Sequence, residues 1–127
     1  MKAPSREEAR RFGLKAESIC ALYLRARGWR IIERGFKIGR GSGAGEVDII
    51  ARKANLLCFI EVKARQSEAE AAEALTPAQR ERITRGADAF LGQNPELATL
   101  DARFDLMLVT PGQALPTHIP DAWRPGF

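Results

Sequence analysis

Near the amino end of the chain, apolar residues recur at helical spacing. Phe12, Ala16, Ile19, Cys20 and Tyr23 fall on one stripe. Ser5 followed by Glu8 is a capping box and Gly28 sits where a C′ residue belongs, so a long helix is predicted over residues 6 to 27. At about 100° per residue, Glu17 lands at the edge of the stripe, in line with Arg10 and Leu24, where it borders the core. The period then shortens. "WRIIERGFKI" (29–38) is rich in Trp, Ile and Phe and predicts an edge-type strand, followed by the loop "GRGSGAG" (39–45) and two further strands at 46–52 and 57–63 around a turn at Ala54 and Asn55. "TPAQRERITRGADAFLG" supplies Thr76 as N-cap, Pro77 at N1, Gln79 at N3 and Gly92 just past the end of a second helix. Ile83, Ala87, Phe90 and Leu91 form its inner stripe, while Arg80, Arg82 and Arg85 stay mostly outside. "RFDLMLVT" (103–110) predicts a buried strand, and "THIPDAWRPGF" a short strand or turn closing against the core. The order α-β-β-β-α-β, with room for one more β, defines an α/β sheet with helices packed on it, organised as a single domain over residues 1–127.

Polar residues interrupt this pattern where it should be most apolar. "GEVDIIARKANLLCFIEVKAR" (45–65) sets Glu46, Asp48, Glu61 and Lys63 among Val, Ile, Leu and Phe. A tight turn pairing Lys53 with Leu56 places Asp48 opposite Glu61 and Glu46 opposite Lys63. Opposed residues of an antiparallel pair share a face, so all four polar groups are expected on one side. A longer loop centred on the same point keeps that register, whereas a loop of odd length destroys it. Two readings of such a face stand side by side. Ordinary cross-strand polar pairs on a solvated surface account for Glu46 with Lys63, but two carboxylates in direct opposition are unfavourable without a cation or a shared proton. Asp48 and Glu61, with the carbonyl of Val62 between Glu61 and Lys63, offer the oxygen ligands that Mg²⁺ or Mn²⁺ prefers. Lys63 would then hold the attacking water and stabilise charge at phosphorus in metal-assisted phosphodiester hydrolysis.

Charge adds a partner class to this chemistry. Twenty Lys and Arg against sixteen Asp and Glu give a net charge of +4, which suits a polyanion without demanding one. The excess is concentrated in the first third, where Arg10, Arg11 and Arg40 lie, whereas "SEAEAAEAL" (67–75) is acidic and alanine-rich; both stretches also read as solvated helix faces. The glycine-rich loop at 39–45 lacks the GxxxxGK[ST] order and runs into a strand, so it reads as a flexible or basic connection rather than a phosphate cradle. Cys20 and Cys58 lie within apolar patterns without metal-site spacing and are expected as reduced core thiols. The charged amino end has no apolar h-region and no window approaches the ~18 apolar residues of a membrane span, so a cytoplasmic protein without a membrane partner is expected.

"GEVDII" followed by "FIEVKAR" resembles the D…(D/E)xK signature of the PD-(D/E)xK nuclease superfamily, and most closely the small bacterial YraN-like proteins, an uncharacterised family similar to archaeal Holliday-junction resolvases. The resemblance runs through "LRARGWRIIER", "TPAQRERI", "RFD" and "HIPDAW". It implies a restriction-endonuclease-like mixed sheet flanked by helices, with Asp48 and Glu61 as metal ligands, Lys63 as catalytic lysine and Glu17 approaching from the first helix. Glu46 is a neighbouring acid, and Gln79 stands where relatives commonly carry a basic residue, as does Gly35 where they usually carry Asn. Gln79 is open to two roles, a contact to DNA or water and the N3 capping partner, while Arg103 and Asp105 read as a structural ion pair. The expected function is that of an Mg²⁺- or Mn²⁺-dependent endonuclease on branched or damaged DNA, gripped by Arg10, Arg11, Arg40 and Arg65. Resolvase resemblance also implies a homodimer, since two symmetric cuts need two sites. The rivals are a non-catalytic nucleic-acid-binding module with a relic metal site and an RNA-associated factor, because phosphate attraction is blind to sequence.

Overall fold

In the computed structural model, which describes residues 5–39 and 44–125, helix α1 (Arg6–Ala26) leads into strands β1 (Arg30–Lys37), β2 (Glu46–Lys53) and β3 (Leu56–Ala64). Helices α2 (Glu68–Ala74) and α3 (Pro77–Gln93) and a 3₁₀ turn (Pro95–Leu97) precede β4 (Asp101–Val109) and β5 (Thr117–Trp123). The strands form one five-stranded sheet in the order β1-β2-β3-β4-β5. It is antiparallel except where β4 lies parallel to β3, reached by a crossover through α2 and α3. The expected α/β architecture is therefore the observed one, and the closing segment supplies the further strand for which the order left room. One element departs from it: the acidic "SEAEAAEAL" stretch carries a short additional helix, capped by Ser67, whose hydroxyl accepts the Glu70 N–H at 3.2 Å. No described helix is long and apolar enough to cross a membrane.

The sheet separates two apolar layers. On one side α1 buries Ala16, Cys20, Ala21 and Leu24 against Ile49, Ala51, Cys58, Ile60 and Met107. On the other, Ile83, Ala87 and Phe90 of α3 meet Phe36, Leu57, Phe59 and Phe104. The cap of α1 forms as expected, with Ser5 Oγ accepting the Glu8 N–H at 3.1 Å, and Gly28 at φ +88° ends it in the left-handed region. Its stripe, however, is displaced: Leu24 is in the core while Phe12 is 40% exposed. Helix α3 runs through Gly92 to Gln93 and ends on Asn94, whose side-chain amide donates to the Phe90 carbonyl at 2.9 Å. Gly92 is thus inside the last turn rather than past it. Arg80 and Arg82, expected mostly outside, are half-buried. Both cysteines are free and buried.

Arg103 and Asp105 form the expected ion pair, but within a larger cluster. Both guanidinium contacts to the fully buried Asp105 measure 2.8 Å, His118 Nε2 lies 2.6 Å from the same carboxylate, and the Asp121 N–H donates to it at 2.9 Å. Burial alone would raise this carboxyl's pKa. The hydrogen bonds from His118, Arg103, Cys58 and Asp121 outweigh it and hold the group well below the usual range. The cluster ties β5 to β4 across their irregular register between Phe104 and Leu106.

Glycine decides how closely α3 approaches the sheet. A Cβ on Gly86 would sit 2.9 Å from the Glu46 nitrogen and 3.0 Å from its carbonyl carbon, so helix and strand backbones touch there. At Gly92 a Cβ would meet nothing within 4 Å. Gly86→Ala is therefore expected to destabilise the protein by about 1–3 kcal/mol through overpacking, whereas Gly92→Ala should stabilise it by about 0.5–1 kcal/mol through helix propensity. Urea denaturation of the two variants checks the opposite signs.

Candidate functional site

The hairpin register is the predicted one where the strands pair: Lys53 opposes Leu56, Arg52 opposes Leu57, and the ladder runs to Ile49 opposite Ile60. Ala54, at φ +53°, and Asn55 make the two-residue turn. Beyond Ile49 and Ile60 the strands part. β2 continues beside β1 as far as Glu46 opposite Lys37, and β3 continues beside β4 as far as Ala64 opposite Val109. The result is a fork at the centre of the sheet. Inside it the Val62 N–H, left without a strand partner, donates to Asp48 Oδ2 at 2.8 Å.

Three of the four polar residues converge at this fork. The Glu61 carboxyl stands beside that of Asp48 and disfavours its ionisation. Lys63 Nζ lies 3.5 Å from Glu61 Oε2, and these two side chains are only 9% and 6% exposed at residue level. Burial, then the hydrogen bond and charge of Glu61, push the Asp48 carboxyl up to about 8; the Val62 N–H and Lys63 pull the other way without prevailing. Glu46 does not join them. Expected opposite Lys63, it pairs instead with Arg82 of α3 at 3.2 Å, because the fork carries the end of β2 away from β3 and toward the close contact at Gly86.

Glu17 reaches the neighbourhood from α1 but is held by β1: Arg34 Nε lies 3.3 Å from Glu17 Oε1, and the same guanidinium donates to Ser18 Oγ at 2.8 Å. Burial and the nearby Asp48 raise the Glu17 carboxyl above its ordinary value, with Arg34 partly offsetting them. Among the described residues no three of His, Cys, Asp and Glu come together as a ready metal-holding group. The backbone adds a further donor, since in a strand the carbonyl of Val62 lies on the same edge as its N–H and so also faces the fork. A half-buried carboxyl beside a buried one, with a carbonyl on an opened strand edge, is chemically suited to a hard divalent cation, which would offset the charge they bring together.

The remaining expected residues are dispersed. Gln79 caps α3 through its backbone, its N–H donating to Thr76 Oγ1 at 3.2 Å, while its side-chain Oε1 is buried without a hydrogen-bond partner. The reciprocal side-chain bond of a capping box is therefore not made. Arg10, Arg11 and Arg65 are exposed, and Arg40 lies outside the described residues. Sequence reasoning missed Arg34 and Arg82, the two cations that hold the flanking acids. The glycine on the inward face of α3, Gly86, was the available signal that helix and β2 approach closely.

The mixed sheet thus forks around two acids and a lysine brought together where its central strands diverge. The profile of the uncharacterised protein family UPF0102 matches residues 16–109, and this chain belongs to that family, the YraN-like group it resembles in sequence. A UPF0102 protein of Paramagnetospirillum magneticum is 54% identical over 123 residues, 95% of each chain. One from Rhodopseudomonas palustris is 46% identical over 121 residues, 95% of this chain and 91% of the relative. Among solved structures, Hjc of Archaeoglobus fulgidus, a Holliday junction resolvase, is similar with a TM-score of 0.49 and 20% identity, over 85% of this chain and 76% of that one.

The raised Asp48 carboxyl sets the pH dependence of the metal-free protein. Its folded pKa, about 8, exceeds the unfolded value of ~3.9, so the folded state binds more protons between those limits. Its contribution to stability is complete below the lower value and is lost as pH rises through the upper one. The metal-free protein is expected to lose stability from about pH 5 to 8, by at most ~1.4 kcal/mol per pH unit. Asp48→Asn, neutral throughout, should flatten that slope. Thermal melts of both proteins in chelator across this range check it.

Proposed function

We propose that this protein is a divalent-metal-dependent phosphodiester hydrolase acting on nucleic acid, with DNA as its substrate. The observation that carries the proposal is the half-buried Asp48 carboxyl set against the buried Glu61, beside Lys63, inside the fork between β2 and β3. A structural ion pair would match each acid with a cation, as Asp105 is matched with Arg103. Here two acids face each other and one lysine, an arrangement that costs folding energy unless a ligand relieves it.

Asp48, Glu61 and the Val62 carbonyl are the groups that would hold Mg²⁺ or Mn²⁺, with Glu17 able to join them if it exchanges Arg34 for the cation. The cation, when bound, would supply Lewis acidity toward a phosphoryl oxygen and lower the pKa of a coordinated water. Lys63, held against Glu61, would orient the attacking water and stabilise the negative charge that develops at phosphorus. Exposed Arg10, Arg11 and Arg65 contribute phosphate contacts, which predicts binding that weakens steeply with salt. Branched or damaged DNA as substrate, and a dimer that makes paired cuts, are the finer forms of this proposal and follow from the sequence resemblance.

Two substitutions separate the roles. Lys63→Met is expected to leave Mn²⁺ affinity nearly unchanged while lowering hydrolysis about 10²-fold or more, because an ammonium group contributes charge in the transition state but cannot ligate a cation. Asp48→Asn should weaken both, since it removes a ligand. Calorimetric Mn²⁺ titration and cleavage assays on duplex, single-stranded, flap and four-way DNA, with RNA as competitor, check both outcomes. Wild-type protein that binds nucleic acid but neither takes up metal nor cleaves any of these would establish the binding-module alternative instead.

A further inference from the structure

Phe12 shares its helix stripe with Ala16, one turn away, yet Ala16 is buried and Phe12 is 40% exposed. The reason is that the amino-terminal half of α1 lies along a groove instead of packing on the sheet. Phe12 and Gly13 form one wall of this cavity of about 660 Å³, the end of β3 at Val62 and Ala64 another, and Pro111 contributes to its lining. Among the described residues Phe12 is the large aromatic left exposed. Gly13 adds no side chain, and a Cβ there would meet nothing within 4 Å, so the space beside the ring is open. Lys63 and Arg65 also line the groove, with Glu8 the acid opposing them. Lys63, whose Nζ lies 3.5 Å from Glu61 Oε2, is thus a residue of the fork that also borders the groove.

We infer that this groove takes an unstacked nucleobase, so that the protein engages a strand with an unpaired nucleotide next to the phosphate at Lys63. This rests on the nucleic-acid reading above and specifies how the substrate is held. A flat aromatic face with an apolar floor matches the π-face of a base, and the cations at its edge match the phosphates on either side of that base. A fully paired duplex presents no free base face, so the groove selects for unpaired positions.

The test uses the full chain in chelator, so that binding is read without cleavage. The probes are a duplex with one unpaired 2-aminopurine and the same duplex fully paired. Wild type and Phe12→Trp are expected to quench the unpaired fluorophore on binding. Phe12→Ala should lose that quenching and bind the bulged duplex about tenfold more weakly, with the paired duplex unaffected. Leu14→Ala, which alters a still more exposed apolar residue outside the groove, should behave as wild type. Binding and quenching that are indifferent to Phe12→Ala overturn the base-pocket inference alone, whereas absence of binding to either duplex overturns it together with the nucleic-acid reading. Sedimentation without nucleic acid covers the other occupant: a wild-type dimer that Phe12→Ala dissociates would make the groove a self-association surface and overturn the inference.

Discussion

The parting of β2 from β3 after Ile49 and Ile60 is the constraint on which the rest of the site depends. Opening a sheet at its centre exposes backbone groups that a continuous ladder would have paired, and each buried group so exposed needs a new partner. Asp48 supplies one by accepting the Val62 N–H. The two arms of the fork stay apart because each is fastened elsewhere. β2 is held by β1, by the backbone contact at Gly86 and by the Glu46–Arg82 pair, while β3 is held by nine residues of parallel pairing with β4. Any change that let the arms close would restore backbone pairing at Val62 and remove the acidic pocket with it.

Two aspartates in the same sheet, Asp105 fully buried and Asp48 half-buried, show what the fork changes. Asp105 receives a bidentate arginine, a histidine nitrogen, a thiol and a backbone N–H, and its carboxyl is held ionised. Asp48 receives one backbone N–H and faces a second acid, so it is driven toward the protonated form. Burial opposes ionisation in both cases. What differs is the supply of donors: Asp105 is fully partnered and fastens two strands together, whereas Asp48 is left with one backbone donor beside a second acid.

Much of this was legible in the chain because it depends on local rules. The caps at Ser5 and Thr76 and the two-residue turn at Ala54–Asn55 are set by neighbours in sequence, and the turn then fixes the register as far as Ile49. Asp48 and Glu61 therefore meet as that register requires. The errors begin where distant contacts take over. Glu46 follows the extrapolated register only if the strands stay paired, and α3 pulls it away instead. Phe12 continues the helical stripe of α1, but periodicity cannot say that the groove lies beneath it. Gly92 carries the composition of a helix stop, yet Asn94 provides the stop in fact.

The end of β3 also explains why chemistry and strand recognition would fall so close together. Glu61 and Lys63 are paired with Leu106 and Leu108, which pack toward Ala71 of α2, whereas Val62 and Ala64 pack with the α1 layer. Alternation thus gives this short stretch two faces, one carrying the acid and the lysine and the other flooring the groove. Inside a continuous sheet those faces would be sealed from each other. Lys63 belongs to the first face through its ammonium, which contacts Glu61, while the residue also borders the groove. On the proposed reading, a nucleotide held there would have its base set by the α1 side and its phosphate near the lysine, so opening the sheet at one place would serve both the acid pair and the strand brought to it.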